Sequence, residues 1–537
     1  MGALLAVSPP ESNSNDPYAP DAGDNPVPQP VGTDPYVSDA GEAWAPPPLL
    51  TAIQPVTGDT ERVVPQQDFV KGELSVYLGS DRLVVKKNRI GVSLGLTQID
   101  RVYYAAVEPQ FDAKFLDRKL AFGIGVPLNF EVVDFRLGPD GKAPLTQNAG
   151  RLRSEDWARP NDYARILTYL TYGHKEDNLF VNVGQVYASS IGHGAIVRRY
   201  AADIDVNLPR VSAQVDAYND YAGFEALTND VVQWNLIGAL GFVKPLSWID
   251  TLFTKSLSIG VTAAADLQAP LSLKADPVTQ GRFLDSQGRL AANTGQVVLG
   301  GIDAEVKVVK TASVDIKPYV DYSRLFGGDA GWTFGALGRF NARSGDTVHA
   351  FRVIAELRFL GSRYRPGYFD TFYEVTRYQS SIAPSVNPGI INYQTQYQDV
   401  MSGATPAREG YYFEASYGIR GGVGVTFALE GDSASAARNF VAHVEVPALS
   451  FLQVFASYYK RGFTDFSQLT TPDEQSIFFA GARLRTLPFL FFNARAYKTF
   501  SINPDTVRYD NTFGFMVNGE LGWEFWTQAQ AAQDSAG

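Results

Sequence analysis

The chain has 537 residues, a net charge of −11 and no cysteine. The absence of cysteine excludes disulfide bonds and thiolate chemistry, and the negative charge argues against nucleic acid as a partner. No apolar run of about 18 residues is present, so the sequence predicts no transmembrane helix. Aromatic residues make up 13% of the chain, a composition that favours β-sheet.

The first 89 residues precede the predicted strands and fall into three parts. Residues 1–8 look like the end of the apolar region of a signal peptide. Residues 9–67 are rich in proline and acidic residues, and such a segment buries too little apolar surface to fold, so it is predicted to be a disordered tail. Residues 68–89 are compatible with a hairpin, a small plug or a tether.

A short repeat lies within this tail. The residues Asp16–Gly23 match Asp34–Gly41 at a spacing of 18 residues. One interpretation is a linear motif that binds a partner twice for avidity. The other, which we favour, is drift within a compositionally biased linker.

Segments with the pattern of β-strands then follow one another almost without interruption. We predict about 20 strands, with a range of 18–22. Many are about 9 to 15 residues long, which suits tilted transmembrane strands better than the shorter strands of globular sheets. The predicted segments are 90–98, 103–114, 119–132, 163–174, 179–189, 197–207, 210–220, 231–243, 255–268, 295–309, 312–325, 331–342, 348–360, 410–419, 423–430, 438–446, 451–460, 475–486, 489–500 and 510–526.

Residues 348–359 display the alternation most clearly. Successive side chains of a strand point to opposite faces of the sheet. One face of this segment is therefore apolar and the other is largely charged. The apolar row is Phe351, Val353, Ala355, Leu357 and Phe359, and the opposite row is Arg352, Ile354, Glu356 and Arg358.

The predicted connections alternate in length along the chain. Those after even-numbered strands are mostly short, as at Pro209. The three longest, 133–162, 269–294 and 361–409, all follow odd-numbered strands. Membrane barrels place short periplasmic turns at one end and long loops at the other. This pattern predicts a barrel with an even number of strands.

The sequence therefore predicts an all-β fold, a single large antiparallel transmembrane β-barrel over residues 90–526 with a short C-terminal tail, 527–537. An open sheet of this size would leave exposed edges and would need covering layers, and the sequence offers no helices to supply them. Closure satisfies every backbone polar group, as lipid requires. A soluble propeller or multi-sandwich protein is the alternative, but we find no blade repeat.

Residues 90–526 resemble the porin-like outer-membrane β-barrels of Gram-negative bacteria. Three segments, Gly125–Phe130, Glu155–Arg165 and Ile191–Val197, are similar to poorly characterised barrels of the myxobacterial type. The aromatic end of 513–526 resembles the closing strand that the barrel-assembly machinery recognises, although residues follow it here. The resemblance implies an outer-membrane location, a periplasmic N-terminal tail, and the lipid bilayer and the assembly machinery as partners.

One short motif could carry chemistry. Ser189, Ser190 and His193 lie close together in the sequence, as a nucleophile and its base would. Gly192 and Gly194 indicate more simply a tight outer turn. None of the four histidines has a partner at metal-binding spacing. We therefore predict no enzyme activity, no metal site and no cofactor.

The predicted lumen-facing rows carry both signs of charge. They could form a salt-bridge lattice that stiffens the wall, or the transverse field of a general porin. The candidate lumen-lining residues are Asp303, Glu305, Lys307, Asp315, Lys317, Asp321, Arg352, Glu356, Arg358, Arg483 and Arg495.

Loop 361–409 is unusually aromatic for a connection between strands. Folded inward it would form a constriction or plug, and outside the barrel it could bind a ligand or partner. A self-packed cap that extends the strands is the third interpretation. The candidate residues for a constriction or partner contact are Tyr364, Arg365, Tyr368, Phe369 and Tyr373.

Two functions follow from these predictions. The first is a channel, a porin-like conduit for small polar solutes. The second is a structural barrel whose tail and loops dock partners in an envelope-spanning secretion or motility assembly. The width of the lumen would distinguish them.

Overall fold

A computed structural model describes residues 88–524 apart from short gaps. The gaps are residues 100, 116–119, 137–145, 174–177, 185–188, 203, 206–207, 209, 277–280, 287, 312, 345–346, 384–391, 420–422, 450–451 and 488. The sequence predictions for residues 1–87 and for residues 525–537 lie outside the described residues.

Strand Thr347–Leu360 alternates between exposed apolar side chains and buried, mostly charged ones. Leu357 is 64% exposed, whereas its neighbour Glu356 is only 3% exposed. Phe351 and Phe359 share the exposed face, and Arg352 and Arg358 share the buried one. An apolar exterior around a polar interior is the arrangement of a barrel in lipid. The predicted orientation of this strand is confirmed.

Twenty antiparallel strands form one closed sheet in sequence order, because the first strand pairs with the last, with Val92 opposite Leu521. Two of the strands, β3 and β10, run in two segments that pair with the same neighbour. The strands are β1 Arg89–Ile99, β2 Val102–Phe115, β3 Leu120–Gly125 with Leu128–Asp134, β4 Leu167–Tyr172, β5 Leu179–Gly184, β6 Ser212–Tyr218, β7 Ala222–Thr228, β8 Leu236–Val243, β9 Ser258–Leu273, β10 Ala292–Glu305 with Val309–Lys310, β11 Val314–Leu325, β12 Ala330–Ser344, β13 Thr347–Leu360, β14 Arg408–Ile419, β15 Gly424–Asp432, β16 Ser435–Leu449, β17 Leu452–Phe463, β18 Ser476–Leu487, β19 Leu490–Asn503 and β20 Arg508–Glu524.

One predicted strand is wrong and one strand was missed. The described residues of 197–207 form no wall strand, and the connection between β5 and β6 runs from residue 185 to residue 211. The adjacent residues Ala201 and Ala202 are both buried, at 0% and 1% exposure, so this segment has no outward face. The missed strand is β7, which follows β6 through a tight turn. The two errors cancel in the strand count.

The four longest connections all follow odd-numbered strands, so they gather at one end of the barrel. The longest are 135–166, 185–211, 274–291 and 361–407. The prediction that long loops share one end of the barrel is confirmed. It had overlooked the connection 185–211, however, and the short connection predicted at Pro209 is wrong. We call this end the long-loop end.

Among the residues described, helices are few and short. They are α1 Pro160–Ala164, α2 Leu252–Ser256, α3 Tyr373–Thr376 and α4 Gln396–Met401, with 3-10 turns at Ser154–Asp156 and Phe466–Thr470. The strands Ser381–Ala383 and Asn392–Gln394 form a small hairpin within the connection after β13. In the described part of the chain, no helix has the length and apolar character needed to cross a membrane.

Candidate functional site

Two of the long connections fold into the barrel instead of standing outside it. We call residues 189–205 the first plug segment and residues 361–383 the second plug segment. Val197 and Tyr200 of the first are 0% and 2% exposed, and Tyr368, Phe369 and Tyr373 of the second are 1%, 0% and 1% exposed. Both segments pack against inward-facing residues of the wall. The inward-folding interpretation of loop 361–409 is the one that the structure adopts.

The two plug segments pair with each other through their backbones. The amide of Phe369 donates to the carbonyl of Ile196 at 3.1 Å, and the amide of Arg198 donates to the carbonyl of Phe369 at 3.0 Å. A turn with positive φ at Gly192 and Gly194, 54° and 83°, precedes this pairing. The turn matches the prediction, but its outer position does not, since His193 between the glycines is buried against β10 and β11. The two segments therefore form one body.

This body reaches from one wall of the barrel to the opposite wall. The Tyr373 hydroxyl donates to Asp266 of β9 at 2.6 Å. The ring of the preceding residue, Phe372, lies 6.4 Å from the ring of Phe500 in β19. In a closed ring of twenty strands, β9 and β19 are ten strands apart in either direction, which places them opposite each other. Helix α3 therefore bridges the lumen.

Apolar contacts hold the plug on both sides. On one side Tyr368, Phe369 and Tyr373 pack with inward-facing leucines of β8 to β13. On the other side Phe372 and Val375 pack with inward-facing aromatic residues of β17 to β20. The leucines are Leu236, Leu240, Leu299, Leu325 and Leu360, and the aromatic residues are Phe455, Tyr459, Phe479, Tyr497, Phe500 and Tyr509. Burial of this much apolar surface stabilises the docked plug.

A buried carboxylate ties the helix to both segments. Glu374 in α3 accepts from Arg210 at 2.5 Å, from Arg377 at 3.4 Å and from the hydroxyl of Tyr200. Burial by itself would raise the pKa of Glu374, but the two guanidinium groups outweigh it and lower that pKa. Arg377 also pairs with Asp266 at 3.0 Å. Glu374 is therefore held as an anion at the centre of the plug.

A second set of ion pairs joins the plug to β13 and β14. Arg198 donates to Glu356 at 2.6 Å, and Glu356 also accepts from Arg358 at 2.6 Å. Arg199 and Arg352 both donate to Glu414 at 2.5 Å. The predicted lumen-lining residues Arg352, Glu356 and Arg358 therefore point inward and brace the plug.

The other predicted lumen-lining residues also lie on inward-facing rows. Lys317 is 3.3 Å from Glu305, and Lys307 is 3.5 Å from Asp315. On the far side, Arg483 pairs with Glu520 at 3.2 Å. Asp303, Asp321 and Arg495 are buried as well. Of the loop residues, Tyr364 is buried and contacts Ser323, whereas Arg365 is less buried and pairs with Asp370 at 2.6 Å.

His193 lies between two carboxylates. Its Nε2 is 2.8 Å from Glu305 and its Nδ1 is 3.2 Å from Asp321, and its ring stacks on Tyr319 with the ring centroids 3.9 Å apart. Although burial alone would lower the pKa of His193, the neighbouring acids outweigh it and raise that pKa. The imidazolium form therefore helps to dock the first plug segment.

The same cluster contains the groups best placed to hold a cation. Ligand atoms of His193, Asp303 and Asp321 lie within 4.8 Å of one another. This cluster could not be predicted from the sequence, because His193 lies more than a hundred residues from both Asp303 and Asp321. The contacts of His193 are those of an ion-pair latch, and Ser189 donates to Gln214 at 3.3 Å instead of pairing with His193. The hydroxyl–histidine arrangement that catalysis would need is not assembled.

Three pairs of adjacent tyrosines, Tyr103–Tyr104, Tyr411–Tyr412 and Tyr458–Tyr459, are divided between the two faces of the wall. Tyr104, Tyr412 and Tyr459 are buried, at 5%, 4% and 1% exposure, because consecutive residues of a strand point in opposite directions. Tyr412 instead supports the plug, since the guanidinium of Arg198 lies 4.0 Å from the centre of its ring.

No protein-family model and no curated protein matches the chain significantly. Several solved structures match weakly. Pseudomonas aeruginosa OccK11 shares 9% identity over 81% of this chain and 95% of its own, with a TM-score of 0.30. Pseudomonas aeruginosa OccK5 shares 11% identity over 82% of this chain and 98% of its own, with a TM-score of 0.27. The ferric enterobactin receptor PfeA of the same organism shares 8% over 81% of both chains, with a TM-score of 0.29. The fold assignment rests on the strand pairing of the chain itself.

Proposed function

We propose that the chain is an outer-membrane β-barrel that conducts small polar solutes through a narrow passage beside a fixed internal plug. The observation that carries this proposal is the position of the plug. It crosses the lumen from β9 to β19, yet two cavities remain between it and the wall formed by β14 to β17.

The two cavities lie one beside the other. The larger, about 310 Å³, is at the long-loop end between the second plug segment and the ends of β13 to β17. The smaller, about 60 Å³, is lined by residues further along the same strands, among them Leu429 and Phe440. Both are lined by Pro366, Glu430 and Asn439. This shared lining supports a passage that follows one side of the plug.

The exterior supports the location. Large apolar side chains such as Leu94, Phe427 and Phe492 are 54%, 43% and 48% exposed on wall strands, and soluble proteins rarely expose such surface continuously. In this proposal the lipid bilayer covers that surface and the long-loop end faces outward. The N-terminal tail lies in the periplasm, and the barrel-assembly machinery inserts the barrel.

A second function is favoured by how firmly the plug is fixed. Buried ion pairs reach it from β9, β13 and β14, and a sealed barrel would suit a structural role. In that case the tail and the outer loops dock partners in an envelope-spanning secretion or motility assembly.

Planar-bilayer recording with the purified full chain distinguishes the two functions. A conduit beside a fixed plug predicts small, steady single-channel steps. It also predicts swelling of proteoliposomes in small polar solutes that falls off sharply with solute size. A folded barrel that is silent at all voltages and salt concentrations would refute the conduit. A specific complex with a periplasmic protein, lost when residues 9–67 are removed, would then support the structural role.

A further inference from the structure

The larger cavity at the long-loop end carries an arrangement of charges that the passage alone does not explain. Its lining includes four arginines, from β13, the second plug segment, β14 and β17, together with three acidic residues. The arginines are Arg358, Arg365, Arg408 and Arg461, and the acids are Asp399, Glu430 and Asp432. A cavity of about 310 Å³ has room for a small organic solute.

Three of the four arginines are already engaged by protein acceptors. Arg358 binds Glu356 and Glu430 at 2.6 and 3.0 Å. Arg408 donates to Asp432 at 2.9 Å and to two backbone carbonyls. Arg365 donates to Asp370 at 2.6 Å and to Gln396 at 3.2 Å.

Arg461 differs from these three. It is only partly buried, and its guanidinium has no hydrogen-bond acceptor or ion-pair partner among the residues that the structure describes. The acids of the cavity are committed elsewhere. Glu430 and Asp432 accept from Arg358 and Arg408, and Asp399 accepts from the hydroxyls of Ser380 and Ser381 at 2.9 and 3.0 Å.

A guanidinium presents donors in a planar fork that matches the two oxygens of a carboxylate. We propose that this cavity binds a small organic carboxylate, with Arg461 as its principal contact and the neighbouring Arg365 contributing charge. The proposal deepens the proposed function, since it makes the cavity a binding station at the outer end of the passage. Binding itself does not require that the barrel conducts.

Calorimetric titration of the detergent-solubilised full chain with succinate tests the site at low ionic strength. Wild-type protein is expected to bind succinate. Arg461→Gln is expected to weaken binding by at least about tenfold, because a hydrogen-bonded charge contact is lost. Arg461→Lys keeps the charge but loses the planar fork of donors. Its affinity for succinate is therefore expected to lie between those of the wild type and Arg461→Gln. Titrations with inorganic phosphate and with uncharged erythritol define the ligand chemistry, since succinate should bind better than either.

Arg363→Gln is the matched control. Arg363 lies in the same connection as Arg365 and is more exposed than Arg461. Its charge is paired to Asp329 at 3.5 Å, and it does not line the cavity. The control should bind succinate as the wild type does. No binding to the wild type, equal binding to Arg461→Gln, or equal loss in Arg363→Gln would each overturn the site. Succinate binding by a silent barrel would refute the conduit alone, and conductance without succinate binding would refute the site alone.

Discussion

Tyr373 donates its hydroxyl to Asp266 at 2.6 Å, and this bond fixes one end of a bridge across the barrel. The other end is Phe372, the residue beside it, whose ring packs against Phe500 of the opposite wall. Phe372 and Tyr373, adjacent residues at the start of α3, thus contact strands ten apart. Loosening of either end should widen the passage.

Glu374→Gln should release the plug. The substitution leaves Arg210 and Arg377 without their shared anion, and removal of one partner from a buried ion pair costs about 3–5 kcal/mol. We expect tryptic cleavage after Arg377 in the folded barrel to rise by more than about a hundredfold, because local opening becomes more populated. The measurement is the rate of cleavage in detergent, followed by mass spectrometry.

Asp465→Asn serves as the control for this prediction. Asp465 is an exposed acid at the same end of the barrel, and its side chain caps its own turn by accepting from the amide of Ser467 at 2.7 Å. The control should show no change in cleavage after Arg377. A Glu374→Gln protein that resists trypsin as the wild type does would contradict the role given to Glu374.

Docking of the first plug segment should weaken at alkaline pH. The groups around His193 are Asp303 and Glu305 of β10, Lys317, Tyr319 and Asp321 of β11, and Arg198 of its own segment. Its raised pKa means that the folded state favours the imidazolium. The stabilisation is complete below the ordinary histidine pKa of about 6.5 and is lost as pH rises through the raised folded pKa.

The measurement is conductance as a function of pH. The wild type should show larger or noisier steps at alkaline pH, and His193→Gln should show them at every pH. His349→Gln, which removes a histidine bonded to Tyr417 at 2.8 Å, should keep the wild-type pH profile. An unchanged pH profile in His193→Gln would exclude the latch.

The lipid-facing row can be tested by placing a charge on it. Ala355 lies near the middle of β13 on the exposed face. Ala355→Arg should destabilise the barrel by about 2–4 kcal/mol, the cost of arginine at the middle of a bilayer. Ala434→Arg, in the turn between β15 and β16, should cost far less. Urea titrations of both variants in lipid vesicles measure this difference, and equal costs would argue that lipid does not contact this face.

The corrected topology can be tested with single cysteines, because the chain has none. Phe224 is 46% exposed on β7, whereas Ala202 of the first plug segment is 1% exposed. A lipid-soluble maleimide should label Phe224→Cys in vesicles and leave Ala202→Cys unlabelled. Labelling of Ala202→Cys alone would restore the segment 197–207 to the wall.

The wall of the barrel could be predicted from the sequence because its information is local. The alternation of Phe351, Arg352, Val353 and their neighbours assigns each side chain to a face without knowledge of any partner. The lengths of the connections then predicted an even number of strands. Local pattern was also the source of the error at 197–207, where short runs of alternating residues imitate a wall strand.

The plug could not be predicted, because its contacts join distant parts of the chain. Glu356 meets Arg198 from 158 residues away, and Tyr373 meets Asp266 from 107 residues away. Aromatic content drew attention to the second plug segment. In the first, the turn at Gly192 and Gly194 was predicted, but it was placed outside the barrel. The inward-facing rows of charged residues were predicted, but their role in bracing a plug was not.

Single-channel conductance of a barrel without the second plug segment is the most direct test of whether the plug blocks the lumen. Residues 364–379 would be replaced by a glycine–serine linker of equal length, and folding verified by closure of the same sheet in infrared and electrophoretic assays. A plug that bridges the lumen predicts small steps for the wild type and steps several times larger for the variant, because the bridge between β9 and β19 is gone. Equal conductance in the two proteins would contradict it.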